Sequence, residues 1–178
     1  MTPLKLVVSG PVGAGKTTLI RTLSESPVVD TEVGASKDIG KPYTTVAFDF
    51  GVLQLDGQAL HLYGTPGQDR FSFMWDVLCE GALGLVMLLA GDRPQDFAHA
   101  RNILEYITSR HALPFVLGVT RQDLARVWQP AEVAAYFGLP NGQVLGLNAT
   151  EPDSARRVLI QLLEQDLGTS PAIPRQTA

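Results

Sequence analysis

A short apolar run, LKLVVS over residues 4–9, breaks into GPVGAGKTT, and no other feature of this 178-residue chain restricts its fold so strongly. The second stretch fits G-x-x-x-x-G-K-[ST], from Gly10 through Gly13 and Gly15 to Lys16 and Thr17. Average composition would place those four fixed positions in fewer than about one chain of this length in a hundred. The apolar run before them and the helical spacing after them narrow the odds further. Glycines let the backbone curl until the N–H groups along Gly13, Ala14, Gly15, Lys16, Thr17 and Thr18 face one phosphate, and the following helix adds the positive end of its dipole. Lys16 would then neutralise the β- and γ-phosphates of a nucleotide, and the Thr17 hydroxyl would coordinate Mg²⁺.

Beyond the loop, short apolar runs alternate with helix-patterned stretches. KTTLIRTLSE carries Leu19, Ile20 and Leu23 at helical spacing, and PQDFAHARNILEYITSR puts Phe97, Ala100, Ile103, Leu104 and Ile107 on one face. PAEVAAYFG runs from Pro130 to Gly138, and DSARRVLIQLLEQDLG closes at Gly168. TTVAFDFGVLQL and QALHLY flank Asp56-Gly57, a hairpin signal. LGLVMLLAG, PFVLGVT and VLGLN are continuous apolar runs, the pattern of parallel strands covered on both faces. Residues 25–43, with Pro, Gly and Ser and no period, are expected to form a long loop. The alternation predicts an α/β domain over residues 1–168, with a mainly parallel six-stranded sheet, one antiparallel edge strand, and helices on both faces. Residues 169–178 have no apolar face and are expected to form a flexible tail. In such a sheet, ligands bind at the carboxyl ends of the strands.

Composition removes several functions. A net charge of −4 argues against nucleic acid as a partner. The single cysteine, Cys79, excludes an internal disulfide and reads as a small packing residue, which suits the cytoplasm. No signal peptide, membrane-length apolar run, myristoylation site or prenylatable cysteine is found, so no lipid anchor is expected. His61, His99 and His111 lack ligand spacing.

With the phosphate loop in place, TTVAFDFG, GTPGQDRF, TRQD and NAT resemble, in order, the remaining motifs of the Ras-superfamily small GTPases. FDF and PGQ are most similar to the bacterial MglA-type and actinobacterial conservon GTPases. The resemblance covers about residues 3–168 and implies a P-loop NTPase fold that binds GTP and GDP with Mg²⁺ and hydrolyses GTP. It further implies that Thr45 closes on Mg²⁺ and the γ-phosphate, that the Gly67 N–H contacts the γ-phosphate, and that Gln68 orients the attacking water. For the base, it implies that Asp123 accepts from the N1–H and N2–H₂ edge of guanine, with Thr120 and Arg121 in the positions of the family's Asn and Lys. Ala149 would offer its N–H to guanine O6. Phe71, Phe73 and Trp75, just past the second switch, are the expected partner surface, with Trp75 as anchor. A roadblock-type regulator, or another activating or exchange protein, is the implied partner.

Three departures bear on activity. Gly64 stands where the family holds Mg²⁺ with an aspartate, so Gly64→Asp is expected to tighten Mg²⁺ binding. Asp49 and Asp92 could substitute for that acid, but Asp49 reads as an outward strand residue and Asp92 as a helix cap. Val12 adds bulk near the attacking water, and Thr44 replaces the arginine of MglA-type switches, leaving Arg70 as a nearby cation. Slow hydrolysis is expected. Two alternatives stay open: a nucleotide-bound scaffold without turnover, and a P-loop kinase, for which the 14 scattered basic residues offer no lid-like segment.

Overall fold

The computed structural model describes residues 2–26, 29–34 and 45–167, with side chains over 2–26 and 48–165. Its strands are β1 (Leu4–Ser9), β2 (Val29–Gly34), β3 (Thr45–Leu55), β4 (Gln58–Gly64), β5 (Gly84–Ala90), β6 (Phe115–Thr120) and β7 (Val144–Gly146). The helices are α1 (Lys16–Leu23), α2 (Ser72–Cys79), α3 (Phe97–Arg110), α4 (Pro130–Phe137) and α5 (Pro152–Leu167). The strands form one sheet in the order β2-β3-β4-β1-β5-β6-β7. β1 is parallel to β4 and β5, β5 to β6, and β6 to β7, whereas β3 runs antiparallel to both its neighbours.

The six expected strands and their single antiparallel member are therefore in place, and β2 adds a seventh. It lies within the segment expected to be a loop, and it moves β3 from the edge to an inner position. Val29, Thr31 and Val33 are β-branched and alternate with the acids Asp30 and Glu32, which suits a strand, but Pro27 and Gly34 on either side read as loop punctuation. Asp56 and Gly57, at φ 48° and 81°, make the β3–β4 turn, as the dipeptide requires.

Alternate side chains of the central strands feed two cores. Leu6 and Val8 of β1 pack with Leu19, Ile20 and Leu23 of α1 and with α5. Val7 packs on the other face with the expected stripe of α3, Phe97 to Ile107, and with Val133 and Ala134 of α4. α4 opens on a capping box between Gln129 and Glu132 and stops at Gly138 in the left-handed region, φ 67°. No helix among the described residues is long and apolar enough to cross a membrane. The predicted stop at Gly168 and the tail 169–178 lie outside the described residues.

Cys79 sits in the second core, and burial pushes its thiol up to about 11. The thiolate is the reactive form, so the native protein should resist alkylation by iodoacetamide at pH 8 and react only once unfolded. Mass spectrometry of the native and the denatured chain checks this. Rapid native labelling would contradict it.

Candidate nucleotide-binding site

β1 delivers the chain into the phosphate loop at the carboxyl end of the sheet, and the loop passes directly into α1. Gly15 precedes that helix at φ 102° and caps it with no side-chain hydrogen bond. The first-turn N–H groups of α1, starting with Lys16 and Thr17, are therefore left for a ligand. Lys16 Nζ donates to the carbonyls of Gly10 and Pro11, each at 2.7 Å, which lays the ammonium along the loop. Burial lowers its pKa to about 8, and nearby Asp49 offsets part of that. An anion seated on the loop would draw the proton back.

Asp49 corrects the sequence reading. Its Oδ2 accepts a hydrogen bond from Thr17 Oγ1 at 2.5 Å, so the side chain points into the phosphate site and not outward. The cause is α1. It covers this face of β3 so closely that a Cβ on Gly51 would lie 2.8 Å from Ile20 Cγ2. Asp92 departs from expectation as well, since the turn before α3 is capped by Arg93 and α3 by Asp96. Asp92 instead receives both 3.0 Å bonds from Arg121 Nη1.

At the far end of the same cleft, β6 ends in Thr120 and continues into Arg121 and Asp123. Thr120 is buried, and its hydroxyl reaches the carbonyls of Ala14 at 2.9 Å and Leu89 at 3.2 Å, tying β5, β6 and the phosphate loop together. Its methyl carbon is the part nearest Gly15. Arg121 Nη2 donates to the Gly13 carbonyl at 3.2 Å, bridging the loop and the base end. Asp123 is exposed on the cleft wall. In the loop after β7, the Asn148 N–H bonds Ser154 Oγ and the Thr150 N–H bonds Asn148 Oδ1. Between them, the Ala149 N–H has no acceptor among the described residues and lies beside the cleft. The cleft holds about 440 Å³ and is lined by the phosphate loop, Thr120, Arg121, Asp123 and the 148–150 loop.

After β4, the chain crosses over the phosphate loop. A Cβ on Gly67 would lie 2.6 Å from the Val12 nitrogen and 2.8 Å from the Gly10 oxygen, so only glycine permits this approach. Gln68 follows, exposed. Two ring donors hold the carbonyls before it: Trp75 Nε1 donates to Pro66 O at 2.7 Å, and His99 Nε2, protonated on that nitrogen, to Gly67 O at 2.9 Å. Trp75 is thus not a surface anchor. It is buried, edge-on to Tyr106, because α2 turns Met74, Trp75, Leu78 and Cys79 inward. Phe73 and Val77 are exposed on the opposite side of α2, and Phe71 is half-buried with Arg70 over its ring. Val12 is exposed. Thr45 opens β3 opposite Gly34, with its side chain outside the described residues, as is all of Thr44.

Sequence reasoning passed over His99 as a support of this loop and Arg93 altogether. Arg93 lies beside the phosphate loop, its Nη1 2.7 Å from where a Gly13 Cβ would be, while its Nε pairs with Asp96. Its place just past the carboxyl end of β5 was the available signal.

A phosphate loop on β1–α1, a glycine approach after β4 and a cleft ending at β6 and β7 define a P-loop nucleotide-binding domain with the Ras-superfamily small-GTPase fold. The chain belongs to the family described as conserved hypothetical ATP binding protein, whose model matches residues 28–169. It is 30% identical over 127 residues to the protein MJ1339 of Methanocaldococcus jannaschii, covering 70% of this chain and 73% of that one. It is 28% identical over 116 residues to the Ras-related protein Rab-8A of Gallus gallus, covering 63% of this chain and 51% of that one. Among solved structures, it superposes on the small GTPase Arl6 BBS3 of Trypanosoma brucei with bound nucleotide analogue GppNp, at TM-score 0.72 and 15% identity, covering 93% of this chain and 98% of that one.

Proposed function

We propose that this chain is a guanine-nucleotide switch of the cytoplasm, in which residues 1–168 bind GTP and GDP with Mg²⁺ and hydrolyse GTP slowly. The observation that carries this reading is the single cleft that unites the phosphate loop with Arg121, Asp123 and Ala149. Asp123 offers acceptors and the Ala149 N–H a donor, which complement the N1–H, N2–H₂ and O6 edge of guanine. Adenine presents the opposite pattern at C6 and lacks the donors for Asp123. The Thr120 methyl closes the wall beneath the base, and the Arg121 stem can cover its face.

For hydrolysis, Lys16 and the loop amides from Gly13 to Thr18 spread positive potential over the phosphates, where charge develops in the transition state. The Gly67 N–H, brought over the loop by its close approach, serves the γ-phosphate, and Gln68 holds the attacking water. Thr17 supplies a hard oxygen donor suited to Mg²⁺, with Thr45 as the further ligand, and the Asp49 carboxylate, 2.5 Å from the Thr17 hydroxyl, would hold the ion's water shell. Bound there, Mg²⁺ would neutralise the β- and γ-oxygens. Phe71 and Phe73, with exposed Val77, form the surface proposed for a roadblock-type regulator or another activating protein, as in MglA-type GTPases. An arginine finger from a partner is worth about 10³–10⁵ in rate. Turnover by the chain alone is expected below about one per second, and a faster rate measured without a partner would contradict that.

The family description names ATP, so the deciding experiment is the identity of the nucleotide released from the purified, heat-denatured protein, read by anion-exchange chromatography. GDP, or GDP with GTP, is the expected result. Intact GTP that persists through hours of incubation would replace the switch with a scaffold. An adenine nucleotide would overturn the guanine reading and favour a P-loop kinase.

A further inference from the structure

β3 and β4 are antiparallel neighbours, and their register sets Asp49 directly opposite Gly64. Directly opposed residues project to the same face of a sheet, so whatever Asp49 reaches, a side chain at Gly64 would reach as well. The distances agree. A Cβ on Gly64 would lie 3.2 Å from the Asp49 Cβ and 3.4 Å from Asp49 Oδ2. The Asp49 carboxylate therefore already lies in van der Waals contact with the place that a Gly64 Cβ would take. It is fixed there by Thr17 Oγ1 at 2.5 Å. On its other side the Gly64 Cβ would meet only the terminal Cδ1 of Ile20, at 2.8 Å, an atom that a rotamer change can move.

We infer that the metal-holding acid of this site has crossed to the neighbouring strand: Asp49 does the work for which the end of β4, at Gly64, has no acid, and Gly64 is glycine because the Asp49 carboxylate fills its space. The expectation that Gly64→Asp alone tightens Mg²⁺ is thereby reversed. A second carboxylate beside Asp49 would repel the first and loosen the site.

This inference rests on the Mg²⁺-nucleotide reading, and its test separates the two. Release of methylanthraniloyl-GDP is followed by fluorescence against free Mg²⁺, and again in EDTA, for wild type, Asp49→Ala and Asp49→Ala/Gly64→Asp. Removing an outer partner of a metal typically costs about 10–100-fold, so Asp49→Ala should need about 10–100-fold more Mg²⁺ to retain nucleotide. The double variant, with its acid returned to β4 and the opposing carboxylate gone, should recover most of that. In EDTA all three should release at one rate. A wild-type Mg²⁺ dependence in Asp49→Ala, an equal loss in EDTA, or a double variant no better than the single would each overturn the inference while leaving nucleotide binding standing. A wild-type chain that holds methylanthraniloyl-GDP equally with Mg²⁺ and with EDTA, or does not hold it at all, would remove the reading beneath it too.

Discussion

Gly10→Ala is expected to remove a large part of the stability of this domain. Gly10 is the first residue past β1, at φ 148°, in a backbone region that side chains rarely adopt. A Cβ there would overlap the carbonyl oxygen of Leu88 and lie 3.1 Å from its carbon and 3.3 Å from the Ala14 Cβ. Leu88 belongs to β5 and pairs with Gly118 of β6, and β5 is held to β1 as far as Met87, so that carbonyl cannot step aside without disturbing the centre of the sheet. Overpacking costs about 1–3 kcal/mol or more, and a strained backbone about 1–3 kcal/mol. Together they come to about 2–6 kcal/mol, comparable with the lower end of the roughly 5–15 kcal/mol that holds an ordinary domain folded. Urea denaturation of the variant should show a midpoint displaced far below wild type, or no folded baseline. Gly57→Ala is the comparison, since nothing lies within 4 Å of its Cβ and only the φ of 81° opposes it. A Gly10→Ala variant as stable as Gly57→Ala would mean that the first glycine of the loop is not wedged against β5.

The contrast between those glycines shows what sequence can reveal. Local patterns were legible because they act on nearby residues: the α3 stripe, the Asp56-Gly57 turn and the G-x-x-x-x-G-K-T loop each specify their own geometry. The side on which Asp49 lies was not legible in that way. Phe48 and Phe50 alternate with it, and an amphipathic reading sends the phenylalanines inward and the acid to solvent. In the fold, both faces of β3 are covered. Phe48 packs with Met74, Leu78 and Tyr63 beneath α2, while α1 lies over the Asp49 face. The signal was present as a pair of gaps, Gly51 and Gly64, small residues on adjacent strands that only the pairing register brings together. Trp75 was misread for the opposite reason. Sequence marks an aromatic just past an exposed loop as available, but the carbonyl of Pro66 takes its indole N–H and Tyr106 packs against its ring in a T-shaped pair. Both errors come from long-range packing, which local periodicity does not encode.

Asp123→Asn should exchange one base for another. The carboxylate presents two acceptors, matched to the N1–H and N2–H₂ donors of guanine. An asparagine in the same rotamer presents one acceptor and one donor, and its amide N–H₂ would meet the guanine N2–H₂ head-on. Xanthine keeps the N1–H but carries an oxygen at C2, so it fits the amide and sets an oxygen against the carboxylate. Hydrogen bonds to a charged group are worth about 1.5–3 kcal/mol each, so two of them amount to about 10²–10⁴-fold in affinity. The variant should lose GDP binding by that factor and gain XDP binding in similar measure, measured by isothermal titration calorimetry with both nucleotides on both proteins. Asp123 is exposed and belongs to neither core, so stability should stay unchanged, and a loss of GDP affinity cannot be assigned to unfolding. The outcome also decides on the adenine suggested by the family's description. An adenine offers Asp123 no paired donors, so a chain built for ATP would bind ADP equally well before and after the substitution and would gain nothing for XDP.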